Sequence, residues 1–183
     1  MRKVTAGLFC SVDGVVENPF LWQFDSFDQE LGAGMVEMMG RIDTGLLGRI
    51  GYQQWAEYWP SAESDADFGG FINPLQKYVA STTLSGDLGW ENSRLIEGPL
   101  EDFVARLKDS DGGDIGVFSS ISLVRQLLFA GLLDSLMLMV HPVIAGKGRR
   151  LFLESDPVTR LELQDSQRTS KGNLVLSYGV RSA

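Results

Sequence analysis

The spacing of apolar positions in this chain switches between a period of two and a period near 3.6. Val4 to Cys10 is apolar almost throughout, the pattern of a central strand covered on both faces. It breaks at Ser11-Val12-Asp13-Gly14, and a loop runs on through Asn18-Pro19 and Trp22. Ser26 and Gln29 have capping-box spacing. Behind them Leu31, Met35, Met38, Met39 and Ile42 share one helical face. Gly32, Gly34 and Gly40 each weaken that helix by up to about 1 kcal/mol relative to alanine, so packing must hold it.

Thr44 to Leu47 reads as a short strand, and Gly48-Arg49-Ile50-Gly51-Tyr52 opens a helix that runs to about Tyr58. Trp59-Pro60 stops it. Ser61 to Gly70 is polar and contains glycine, so a surface loop is expected. Lys77 to Ser81 is the next strand, with Thr82 and Thr83 beyond it. Gly98-Pro99 starts a helix with proline at its first position. Glu101 and Asp102 suit the dipole of its first turn, and Leu100, Phe103, Val104 and Leu107 form its buried stripe. Ile115 to Phe118 is a strand. Ser119 and Ser120 are capping candidates for a helix carrying Leu123, Val124, Leu127 and Leu128, and Gly131 suits its terminator. Leu136 to Val140 is a further strand, followed by a loop from Pro142 to Gly148. Leu161 to Arg168 and Leu174 to Val180 pair as a hairpin across Ser170-Lys171-Gly172. The order predicts an α/β domain spanning residues 1–183. Its central sheet is mostly parallel and flanked by helices, with a C-terminal antiparallel hairpin.

Composition narrows the function. The 183 residues are 44% apolar and 22% charged, as in one globular domain. One cysteine, Cys10, permits no intrachain disulfide and suggests a reducing compartment. One histidine, His141, permits no Cys/His zinc site within one chain, and no metal is expected. The net charge is −8, and Arg149-Arg150 is the densest basic pair, which argues against nucleic-acid binding. No apolar run reaches the roughly 18 residues of a membrane span. The first residues lack the apolar run of a signal peptide. A cytoplasmic protein is the expectation.

Two strand-to-helix junctions could bind anions. At Gly48-Arg49-Ile50-Gly51, N–H groups at a helix start attract phosphate and Arg49 adds charge. At Ser119-Ser120, hydroxyls and free N–H groups suit a pyrophosphate. Each also reads as a tight turn or a cap. Ser81-Thr82-Thr83, at a third strand end, has the same two readings. Asp13 could protonate or orient a substrate, or simply make the turn before Gly14. Asp25, Asp28 and Glu30 suit the helix start. Trp22, Trp55, Tyr58 and Trp59 could stack on a flat ring, and equally suit a core or an interface. Cys10, His141 and the Met35, Met38, Met39 stripe read as structural.

The same segments resemble a family. Ser11-Val12-Asp13-Gly14 resembles the S-x-D-G of the dihydrofolate-reductase-like group that includes the C-terminal reductase domain of the bifunctional riboflavin-biosynthesis deaminase-reductase. Leu46-Leu47-Gly48-Arg49-Ile50-Gly51-Tyr52 resembles its L-L-G-R-x-T-Y. Lys77 to Leu84 resembles K-x-V-x-S-x-T-L. Leu132-Leu133-Asp134, then His141 to Gly148 and Leu151-Phe152, resemble its G-L-V-D-E…H-P-V-x-x-G-x-G…L-F block. The resemblance implies a dihydrofolate-reductase-like fold and an NADPH-dependent reductase, often homodimeric, acting on a pterin- or pyrimidine-like ring or a carbonyl. It would place Gly48, Arg49, Tyr52, Ser81, Thr82, Ser119, Ser120 and Ile121 along the cofactor. Asp13 would be the catalytic candidate and Trp22 a wall of the substrate cleft. Three positions depart from the pattern: Ser119 replaces glycine, Gly51 replaces threonine and Ser135 replaces glutamate. The alternative is a non-catalytic ligand-binding or dimeric scaffold on the same fold, with a degenerate cofactor site.

Overall fold

Leu46 and Leu47 are neighbours in one strand, both fully buried, yet they belong to different cores. Successive side chains of a strand point to opposite faces, so their sheet is covered on both sides. The structure, a computed structural model, describes residues 1–63 and 65–180. Its strands are β1 (Val4–Ser11), β2 (Ile42–Gly48), β3 (Gln76–Ala80), β4 (Ser93–Leu95), β5 (Asp114–Phe118), β6 (Ser135–His141), β7 (Leu161–Arg168) and β8 (Leu174–Val180). Its helices are α1 (Gln29–Met39), α2 (Arg49–Tyr58), α3 (Ala66–Ile72), α4 (Leu100–Lys108) and α5 (Ile121–Phe129). The sheet order is β4-β3-β2-β5-β1-β6-β8-β7. Pairs from β4 across to β6 are parallel, and β8 runs antiparallel to both β6 and β7. None of the described helices is long and apolar enough to cross a membrane.

On one face, Val104 of α4 and Leu123, Val124, Leu127 and Leu128 of α5 pack on Val4, Ala6, Leu46, Ile115 and Leu136. On the other, Met38 of α1, Tyr52 and Trp55 of α2 and Ile72 of α3 pack with Leu47, Val79 and Phe118. β7 reaches the first core through Leu161, and all of it beyond that residue is exposed.

Several elements differ from the sequence-based expectation. α1 is capped by Asp28, whose carboxylate accepts from Leu31 N at 3.0 Å, so Ser26 and Gln29 form no capping box. The Ser26 hydroxyl instead donates to Gln23 O and meets His141 Nδ1 at 2.6 Å. Gly40 ends α1, and Ile42 belongs to β2 rather than to the helical face. The expected 61–70 loop contains the start of α3, because Phe68, Phe71 and Ile72 recur at helical spacing and pack inward. β4, three residues at the sheet edge, carried no period to read. Pro99 is the N-cap of α4 rather than its first residue.

His141, at the end of β6, is fully buried. Since Ser26 donates to Gln23 O, His141 Nδ1–H must donate to Ser26, and Nε2 accepts from Gln23 Nε2 at 3.1 Å. Burial pushes its pKa down against the opposing field of Asp28. A neutral imidazole therefore latches the 18–28 segment to the sheet.

Candidate active site

β2 continues through α2 to β3 on one side of itself, whereas β5 continues through α5 to β6 on the other side. In an open parallel sheet the ligand crevice lies where connections diverge in this way. Here that point is between the C-terminal ends of β2 and β5. α2 and α5 cover opposite faces, so their N-termini meet only at this sheet end.

The two helix starts offer hydrogen-bond donors. Gly48 caps α2 and has no side chain to satisfy the first N–H groups. Arg49 is exposed, donates to Gln53 Oε1 at 3.0 Å and has no ion pair among the described residues. Ser120 caps α5 by accepting from Leu123 N at 3.3 Å, and the Ile121 and Ser122 N–H groups before it have no acceptor within the helix. The Ser81 hydroxyl accepts from Thr83 N and Leu84 N at 3.2 and 2.9 Å, and Thr82 beside it is exposed. This donor set suits the phosphates of a dinucleotide.

Two departures from the family pattern fall on one contact. Ser119 has φ of +46°, in the left-handed region. A Cβ added at Gly51 would overlap Ser119 O and lie 2.8 Å from both Ser119 Cβ and Oγ. A Cβ at Gly48 would lie 2.5 Å from Ser120 Oγ. At this contact Gly51 leaves the room that the Ser119 backbone and side chain occupy.

Three expected site residues have other roles. Tyr52 is buried in the core, and its hydroxyl accepts from Trp90 N at 3.3 Å, so its ring faces away from the crevice. Trp22 is buried with its indole N–H on Glu17 O at 2.9 Å and its ring edge-on to His141, so it is no open wall. Asp13 accepts from the Ser11 hydroxyl at 2.7 Å, Ala145 N at 2.8 Å and Gly146 N at 2.9 Å. Those bonds, the Ser11 hydroxyl first, hold its carboxyl at about 2 against a smaller opposing effect of burial. Such a group carries no proton to deliver at neutral pH; Asp13 ties the end of β1 to the loop after β6.

That tie gives a pH prediction. With the folded value depressed, the stabilisation is complete above the ordinary value of 3.8 and is lost as pH falls through about 2. Acid unfolding followed by circular dichroism should show a drop in stability across that interval, and Asp13→Asn should reduce it.

A cavity of about 500 Å³ opens between the first turns of α5 and the loop after β6, lined by Ile121, Ser122, Arg125, Arg149, Arg150 and Phe152. Of the expected site residues only Ile121 lines it. Its arginines are ion-paired, Arg125 with Asp156, Arg149 with Glu17 and Arg150 with Asp13. The sequence marked this wall in Ile121, in Gly148 and Phe152 of the resemblance block, and in the Arg149-Arg150 pair.

The profile of the RibD C-terminal domain family matches residues 2–175. The chain belongs to this family. It is 26% identical over 180 residues to "Uncharacterized protein YyaP" of Bacillus subtilis, covering 97% of this chain and 94% of that protein. Among solved structures it resembles a putative riboflavin biosynthesis protein from Shewanella sp. PV-4, with a TM-score of 0.75 and 19% identity over 98% of this chain and 99% of that one. A pyrimidine reductase-like protein from Corynebacterium diphtheriae gives a TM-score of 0.72 and 16% identity, over 100% and 93% of the two chains. At these identities the two structures show the shared fold, that of the RibD reductase domain.

Proposed function

We propose that this RibD-like domain is an NADPH-dependent reductase, a cytoplasmic homodimer acting on a flat heterocycle of the pterin or pyrimidine type or on a carbonyl. The observation that carries the reading is the convergence of the α2 and α5 N-termini at the β2/β5 divergence, with Arg49, which has no ion pair among the described residues, beside them. NADPH, when bound, supplies the hydride. Arg49 and the N–H groups at the start of α2 would hold its phosphates at one junction, with Ser81 and Thr82 on the same side. Ser119, Ser120 and the Ile121 N–H would hold the pyrophosphate at the other. Ile121 and Phe152 would provide the apolar part of the wall that hydride transfer needs. Asp13 organises the loop at the site's edge without exchanging a proton.

The test is consumption of NADPH, read by absorbance, with a panel of pterins and pyrimidine nucleotides, together with Arg49→Ala. Loss of a charge-assisted hydrogen bond is worth about 1.5–3 kcal/mol, so Arg49→Ala should weaken NADPH binding at least about tenfold. Unchanged affinity would remove the α2 junction from the cofactor site. The scaffold alternative draws on the Ser119–Gly51 contact, in which serine bulk occupies the pyrophosphate corner. It predicts no binding by the wild type and a gain of binding in Ser119→Gly.

A further inference from the structure

The cavity of about 500 Å³ beside α5 has arginines on its wall, yet each of them already faces a carboxylate: Arg125 meets Asp156, Arg149 meets Glu17 and Arg150 meets Asp13. An exposed ion pair alone is weak and would yield to a phosphate. These carboxylates are also held by backbone N–H groups. Glu17 accepts from Arg149 N at 3.0 Å, Asp156 from Leu153 N at 2.7 Å, and Asp13 from Ala145 N and Gly146 N at 2.8 and 2.9 Å. Each is pinned where it stands, so none swings aside to bare its arginine. Glu154 adds a further carboxylate to the wall and has no ion pair or hydrogen bond among the described residues. Lys147, on the same loop, does not line the cavity. Three guanidinium groups thus stand among four carboxylates.

We propose that this cavity seats an uncharged substrate, a flat heterocycle that carries N–H donors and neither phosphate nor carboxylate. The inference rests on the reductase reading above and narrows its substrate class. Ile121, Phe152 and Leu153 give the cavity apolar surface, and Phe152 and Leu153 are 40% and 51% exposed. A flat ring covers such surface and is held by it. The Glu154 carboxylate is an acceptor with its capacity unused, suited to a ring N–H or amino group. A phosphate on the substrate would meet the excess carboxylate of the wall instead of a free cation. Arg49 at the start of α2 is the contrast. It has no ion pair among the described residues, so the cofactor's phosphates find there the partner that this cavity withholds.

Nuclear magnetic resonance titration of the full chain saturated with NADP+ tests the proposal. It is read at the backbone amides of Phe152 and Leu153 and at the Nε–H groups of Arg125, Arg149 and Arg150. The probes are pterin, uridine and uridine 5′-phosphate, the last two differing only in the phosphate. Pterin and uridine should shift these resonances saturably, and uridine 5′-phosphate should bind at least about tenfold more weakly than uridine. Glu17→Gln takes the countercharge from Arg149 and should narrow that difference. Uridine 5′-phosphate that binds as tightly as uridine overturns the proposal and leaves the reductase reading standing. So do uncharged probes that move none of these resonances, and a difference that Glu17→Gln leaves unchanged. A chain that NADP+ does not saturate overturns both.

Discussion

Replacing Lys77 by methionine should lower the stability of the fold by about 3 kcal/mol, a large fraction of the roughly 5–15 kcal/mol a domain possesses. Lys77 is fully buried at the start of β3. Its ammonium donates to Ile72 O at 3.1 Å, Asn73 O at 2.7 Å and Leu75 O at 2.7 Å, and lies 4.5 Å from the centre of the Trp90 ring. One cation thereby closes the C-terminal end of α3 and fixes the turn into β3. Methionine keeps most of the stem's volume but leaves three carbonyls without their donor, at about 1–3 kcal/mol each. Relief of the buried charge offsets part of that sum. Urea unfolding should show a lower midpoint at unchanged slope; an unchanged midpoint would mean that the carbonyls find other donors. Burial, opposed by Glu91, pushes the Lys77 pKa down to about 8 from an ordinary 10.5. The unfolded chain keeps this proton between those values, so the Lys77 contribution should make stability rise with pH across that window. Trp90 emission should titrate near the lower value.

The second large effect is expected at Gly51. Gly51→Thr drives a β-branched side chain into the backbone carbonyl of Ser119, a neighbour that cannot rotate away. Overpacking costs about 1–3 kcal/mol where side chains can yield, and this contact should reach the upper end of that range. Ser119→Gly, made in the same chain, removes the Cβ and Oγ that lie 2.8 Å away and relaxes the positive φ. Because the Ser119 carbonyl stays in the double variant, the recovery should be partial, confined to the lost side-chain contacts and to the backbone shift that glycine at 119 allows. A thermodynamic cycle by chemical denaturation should give a coupling of at least about 1 kcal/mol, within the range for residues in contact. Additive effects would show that the two junctions are energetically independent.

Much of the fold was legible because it lies in local periodicity. The hairpin of Leu161–Arg168 with Leu174–Val180 was visible in its turn residues and flanking runs. The strand and helix around Leu46 to Tyr58 were visible in a buried run followed by helical spacing. The misses share a cause. α3 was hidden by the Gly69-Gly70 pair, which the tertiary contacts of Phe68 with Trp59 and of Phe71 with Phe118 override. Asp28 displaced Ser26 as the cap because Ser26 is held by His141, more than a hundred residues away in sequence. The site divides in the same way. Gly48, Arg49, Ser119 and Ser120 stand at strand ends that the sequence marks. The burial of Tyr52 and Trp22 and the anchoring of Asp13 depend on distant partners: Trp90, His141 and the Ala145-Gly146 backbone. That Gly51 and Ser119 touch was not legible at all, since no period connects them.

The central claim is that the β2/β5 corner receives the phosphates of a dinucleotide. Equilibrium titration of the chain with NADPH and with NADH, read by quenching of its four tryptophans, tests it most directly. The account predicts saturable NADPH binding in the micromolar range, about −8 kcal/mol, with weaker binding of NADH. No quenching by NADPH up to millimolar concentration would contradict it.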